Sequence, residues 1–125
     1  MYVDFEKFKD RKRDGSPRFT KCCRISDQTK EELKEFAAEK GLKLNEMLNC
    51  AIDYGCRKIE TDEEFRDKIL NIPTKRKSVR GETKQKIILK EDTNEKLEDI
   101  KHRYRLFNEN GFISDTIISF LEDIK

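Results

Sequence analysis

The sequence predicts a mainly helical protein with a short antiparallel β-ribbon, built from one strand–helix–helix unit used twice. Three observations predict it. A basic, strand-like stretch leads into two apolar-periodic helical segments on two occasions, from Arg18 to about Ile59 and from Lys84 to Ile124. In each copy an apolar strand residue stands eight positions before a helical leucine, Ile25 before Leu33 and Leu89 before Leu97. In each copy a glycine-containing turn, at Gly41 and at Gly111, separates the two helices. A unit of this size cannot bury its apolar face alone, so the two copies are expected to pack on each other. The expected organisation is a basic N-terminal arm (1–17), a first unit (18–59), a linker with a short helix (60–82) and a second unit (83–125).

The arm ends at the breaker cluster Gly15-Ser16-Pro17. Its Tyr2, Val3, Phe5 and Phe8 suit a short amphipathic turn, while Lys9, Arg11, Lys12 and Arg13 supply charge. Residues 18–25 read as a strand in which Lys21 interrupts the apolar row. Ser26 is placed to cap a helix whose face carries Leu33, Phe36, Ala37 and Lys40. Gly41 sits where a C-terminal glycine belongs. Asn45 is expected to cap the next helix, whose stripe runs Met47, Leu48, Ala51, Ile52, Gly55 and Ile59.

The acidic stretch ETDEEFRDKIL reads as a helix, either continuing the second or forming a third, and Asn71-Ile72-Pro73-Thr74 breaks it. Residues 75–81 make a basic approach to the second strand, around residues 84–90. Asp92 or Thr93 is expected to cap the following helix, which carries Leu97, Ile100 and Tyr104 and ends near Asn108–Gly111. That end point makes it longer than its counterpart by about two turns. Ser114 or Asp115 then caps a final helix with Ile117, Ile118, Leu121 and Ile124.

Composition narrows the function. Only 34% of the 125 residues are apolar and 43% are charged, so one domain with a small core is expected. Eight Phe and the regular Leu/Ile spacing exclude general disorder. A net charge of +2 is uninformative, but its distribution is not. Residues 1–24 carry eight Lys/Arg against four Asp/Glu, and residues 74–90 carry seven against one. Both basic blocks lead into the strands, which points to a polyanion.

Cys22, Cys23, Cys50 and Cys56 lack CxxC spacing, so no metal site is expected, and Cys23, Cys50 and Cys56 read as small buried hydrophobes in a reducing cytoplasm. No secretory signal or membrane-length apolar run is read, and a cytoplasmic location is expected. His102 is the sole histidine and reads as a surface residue, with no nucleophile–base set or glycine-rich phosphate loop beside it. Neither catalysis nor a cofactor is expected.

Two such strands, aligned antiparallel, make a ribbon that the major groove of B-DNA admits. Strand side chains alternate, so one row enters the core and the other faces outward. Cys23, Ile25, Ile87 and Leu89 take the inner row, leaving Thr20, Cys22, Arg24, Lys84, Lys86 and Ile88 outside. A guanidinium at Arg24 can bond O6 and N7 of guanine together; Lys84 and Lys86 suit guanine or phosphate. Thr20 suits a base edge or a thymine methyl, and Ile88 only the methyl. The plainer reading is an ordinary solvated hairpin whose lysines block edge pairing. Asn45 and Ser114, at helix starts, are candidates for phosphate, as are Arg18, Lys75, Arg76 and Lys77.

The segment Ile25-Ser26-Asp27-Gln28-Thr29-Lys30-Glu31-Glu32-Leu33, then Glu39-Lys40-Gly41-Leu42 and Asn45-Glu46-Met47-Leu48, resembles the ribbon-helix-helix family of DNA-binding regulators, the MetJ/Arc type. The second copy is similar through Ile87-Ile88-Leu89, Leu97, Gly111 and Ser114-Asp115-Thr116-Ile117. Family members usually carry one unit and dimerise to build the ribbon. The resemblance implies that Thr20, Cys22, Arg24, Lys84, Lys86 and Ile88 hold base-reading positions, with Cys22 and Ile88 departing from the polar residues usual there. Two unlike units in one chain resemble a covalent pseudo-dimer, as in regulators encoded by viruses of archaea.

The function expected is a sequence-specific, double-stranded DNA-binding transcriptional regulator, such as a repressor. Either one chain supplies both strands of the ribbon, or each copy pairs with the same copy of another chain; a homodimer or higher oligomer on DNA is open. The alternative is an antitoxin or plasmid-partition protein that binds a protein partner and its own operator.

Overall fold

The structure, a computed structural model, describes residues 3–8, 17–71, 82–105 and 108–124. Among them the order of elements is β1 (Phe19–Ser26), α1 (Asp27–Glu39), α2 (Leu44–Thr61), α3 (Glu63–Leu70), β2 (Glu82–Leu89), α4 (Glu91–Tyr104) and α5 (Glu109–Ile124). The protein is mainly α with one two-stranded antiparallel sheet, as the sequence predicts. β1 and β2 pair within the one chain. Of the two topologies left open, the described chain adopts the intramolecular one.

Local chemistry sets the boundaries. Ser26 leaves β1 in extended geometry, and its hydroxyl accepts a hydrogen bond from Thr29 N at 3.1 Å, opening α1 as expected. At the other end Gly41 adopts φ 71°, which only glycine reaches without strain. The chain then closes a Schellman turn, with Gly41 N donating to Ala38 O and Leu42 N donating to Ala37 O. Leu42 is buried over the turn.

The starts of α2, α4 and α5 differ from expectation. α2 begins at Leu44, one residue before Asn45, with Lys43 at its N-cap; Glu46 accepts from Lys43 N at 2.7 Å. α4 begins at Glu91 with Lys90 at its N-cap, so neither Asp92 nor Thr93 is the cap, and Thr93 is buried. Glu91 and Asp92 instead place negative charge on the first turn, where the helix dipole favours it. α4 has 14 residues against 13 in α1, so it lacks the two extra turns expected. It stops because Arg105 turns left-handed. α5 accordingly starts at Glu109, five residues before Ser114, and Asn108 Oδ1 accepts from Gly111 N at 2.7 Å. Gly111 therefore lies inside a helix, not in the turn before it.

The acidic stretch forms a third helix. The extended backbone of Asp62 ends α2, and its carboxylate accepts from Phe65 N at 3.1 Å to start α3. Arg66 then folds back, donating from Nε to Ile59 O and from Nη2 to Glu60 O, which caps the orphan carbonyls of α2.

α2 is the hub. Glu46 through Cys56 are all buried, so the helix is surrounded on every side, well beyond the stripe the periodicity implies. Leu33, Leu48, Ile52, Ile87, Leu89, Leu97, Phe112 and Phe120 fill the space between the sheet and the helices. Each such side chain contributes about 1.5–3 kcal/mol of hydrophobic stabilisation. α2 crosses α5 at Gly55, where a Cβ would overlap the side chain of Thr116. Tyr54 and Lys58 of α2 also donate to Asp123 of α5, at 2.5 and 2.6 Å. Of the apolar residues named for the final helix, Ile117 and Leu121 are buried and Ile118 is exposed. In the arm, Glu6–Phe8 form a single 3₁₀ turn; Phe8 is buried and Phe5 packs edge-on against Phe36. Lys90 Nζ ties the turn down by donating to Phe8 O at 3.1 Å. The basic residues 9–13 lie outside the described residues.

Candidate nucleic-acid interface

The register of the ribbon decides which side chains share a face. Thr20 pairs with Ile88, Cys22 with Lys86 and Arg24 with Lys84. Residues directly opposite on paired strands point to the same face. The six candidate base-reading residues therefore form one continuous patch, drawn equally from both strands. Thr20, Arg24, Lys84, Lys86 and Ile88 are exposed and Cys22 is half-buried. The intervening row faces the helices: Cys23, Ile25, Ile87 and Leu89 are buried.

Charge is handled differently on the two faces. Lys21, on the inner row, reaches Glu109 at 2.9 Å and Glu98 at 3.4 Å. Lys101 meets the same two carboxylates at 3.1 and 3.3 Å. Burial pushes the Glu109 carboxyl up, but hydrogen bonds and charge from Lys21 and Lys101 outweigh it and hold the group below the ordinary carboxylate range. On the outer row, Arg24, Lys84 and Lys86 have no ion pair among the described residues. Three neighbouring cations on a rigid ribbon make a local positive potential that the net charge conceals.

The ribbon is held from beneath at both ends. Asn45 Nδ2 donates to Ile88 O at 3.0 Å, and Asn45 Oδ1 accepts from Ile88 N at 2.9 Å. Asn49 adds Nδ2 to Ile88 O at 2.9 Å and accepts from Lys90 N at 3.0 Å. On the other strand, Ser114 Oγ donates to Arg24 O at 2.8 Å. Arg24 and Ile88, whose side chains face outward, thus have their backbone held by α5 and α2.

These bonds redirect two expectations. Asn45 and Ser114, candidate phosphate contacts, have their side chains engaged inside the fold, and Ser114 is buried. Arg18 is exposed immediately before β1. Lys75, Arg76 and Lys77 lie outside the described residues. Asn49 was not singled out from the sequence, although an Asn inside an apolar helical stripe signals a buried amide needing partners.

Burial pushes the thiols of Cys23, Cys50 and Cys56 up to about 12. Among the described residues no cluster of three His, Cys, Asp or Glu side chains is placed to hold a metal, and no helix is long and apolar enough to cross a membrane. His102 is exposed on α4. No protein-family model, characterised protein or solved structure matches this chain.

Proposed function

We propose that this chain is a sequence-specific, double-stranded DNA-binding transcriptional regulator that inserts its ribbon into the major groove, and that it is a tandem ribbon-helix-helix protein in which the two units form a covalent pseudo-dimer. The observation that carries the reading is the outer row: six residues from two strands on one face, three of them cations without ion pairs among the described residues. A two-stranded ribbon fits the groove, and Arg, Lys and Thr are the side chains that read base edges there.

Two further observations support the pseudo-dimer. When Ile25 is matched to Leu89, Arg24 becomes the counterpart of Ile88 and Thr20 the counterpart of Lys84. The register pairs Thr20 with Ile88 and Arg24 with Lys84, so it maps onto itself about Cys22–Lys86, as a two-fold axis requires. The second helices obey the same exchange: Asn45 of α2 holds Ile88 in β2, and Ser114 of α5 holds Arg24 in β1. Each unit's second helix thus supports the other unit's strand.

Selection of duplexes from a random library at two salt concentrations tests the reading. Enrichment of a short motif, lost in the Arg24→Ala/Lys86→Ala double variant, is the expected result. Salt-sensitive binding without a motif would reduce the protein to a nonspecific coating factor. No binding at low salt removes the proposal.

A further inference from the structure

The outer row is unlike at its two ends. At one end Arg24 lies directly across from Lys84, placing two cations side by side. Like charges in that position disfavour the sheet, and neither has an ion pair among the described residues, although Glu82 follows on the same row across from Ser26. At the other end Thr20 lies across from Ile88, whose side chain is 39% exposed. Cys22 and Lys86 separate the ends. Four residues at about 3.3 Å each place Thr20 roughly 13 Å from Arg24. That distance matches about four base-pair steps at ~3.4 Å.

The chemistry of the two ends selects different bases. Guanine alone offers the O6 and N7 acceptor pair that a guanidinium or ammonium reads, whereas an isoleucine can gain only from the methyl of thymine. The backbone at both ends is fixed, through Ser114 to Arg24 and through Asn45 to Ile88, so the ends cannot exchange. Because β1 and β2 belong to one molecule, nothing makes the two ends equivalent.

We infer that the chain recognises a non-palindromic duplex site in one fixed orientation, with G·C pairs under the Arg24–Lys84 end and A·T pairs, thymine methyl toward Ile88, under the Thr20–Ile88 end. The inference rests on the DNA-reading role proposed above and adds a direction to it.

The test begins with the motif selected by the full chain and replaces each thymine at its A·T end by deoxyuridine, which removes only the methyl. Wild-type protein should lose about fourfold in affinity at one such position. The Ile88→Ala variant should start weaker and lose nothing further there. Arg24→Ala should cost roughly 5- to 150-fold, through lost guanine preference confined to the opposite end. A motif that is palindromic within the roughly four or five base pairs one ribbon spans, or relaxation of the same base pairs by both variants, overturns the polarity while leaving DNA reading intact. Absence of binding to any duplex removes both. The deoxyuridine arm uses unaltered protein, so a folding defect in a variant cannot imitate the result.

Discussion

Ile88 and Leu89 are neighbours in the chain and similar in chemistry, yet one is exposed on the ribbon's outer face and the other is completely buried beneath it. The same alternation separates Arg24 from Ile25 and Lys86 from Ile87. On the inner face Cys23, Ile25, Ile87 and Leu89 have a core, and Lys21 has Glu109 and Glu98. On the outer face three cations and an isoleucine have no such provision among the described residues. Folding explains the first row, and the proposed DNA contact would account for the second.

Substitutions that cross this divide should break it unequally. Leu89→Ala removes a fully buried side chain and should cost about 2–5 kcal/mol by denaturant titration. Gly55→Ala, where α2 crosses α5, should cost about 1–3 kcal/mol, because its methyl meets Thr116; Thr116→Ala in the same chain should recover part of it. Glu109→Gln should cost about 1 kcal/mol at neutral pH. The folded Glu109 carboxyl titrates below its ordinary range, so its contribution is present above about pH 4.3 and disappears as pH falls through the folded value. Thermal unfolding of wild type and Glu109→Gln should therefore converge as the pH falls; a gap of constant size down the whole acid range would show the loss is not electrostatic. Ile88→Ala should change stability by no more than about 0.5 kcal/mol, one residue away from the largest effect.

Much of this fold was legible in the sequence, for reasons that can be named. Strand alternation divides the two rows of the ribbon from residue type alone, and the eight-residue spacing from Ile25 to Leu33 and from Leu89 to Leu97 links buried strand to buried helix. Ser26 and Gly41 carry their capping chemistry openly. The second unit was harder. Its helices are capped at Lys90, which makes no side-chain cap bond, and at Asn108, while Ser114 and Asp115 look like caps and sit inside α5. Ser114 was needed elsewhere, on the Arg24 carbonyl, and only the tertiary fold brings those residues together. Pairing of β1 with β2 in one chain depends on how the connector closes, which local pattern does not encode.

The central claim is that the outer face of the ribbon meets DNA, and Cys22 offers a direct probe of it. Cys22 lies at the middle of the outer row and is only half-buried, whereas Cys23, Cys50 and Cys56 are buried with thiols pushed up to about 12. Iodoacetamide at pH 8 should therefore modify the native protein at Cys22 first. Saturating the protein with a selected duplex should nearly stop that reaction. Binding of the duplex with Cys22 labelled at an undiminished rate would place the DNA elsewhere and contradict the account.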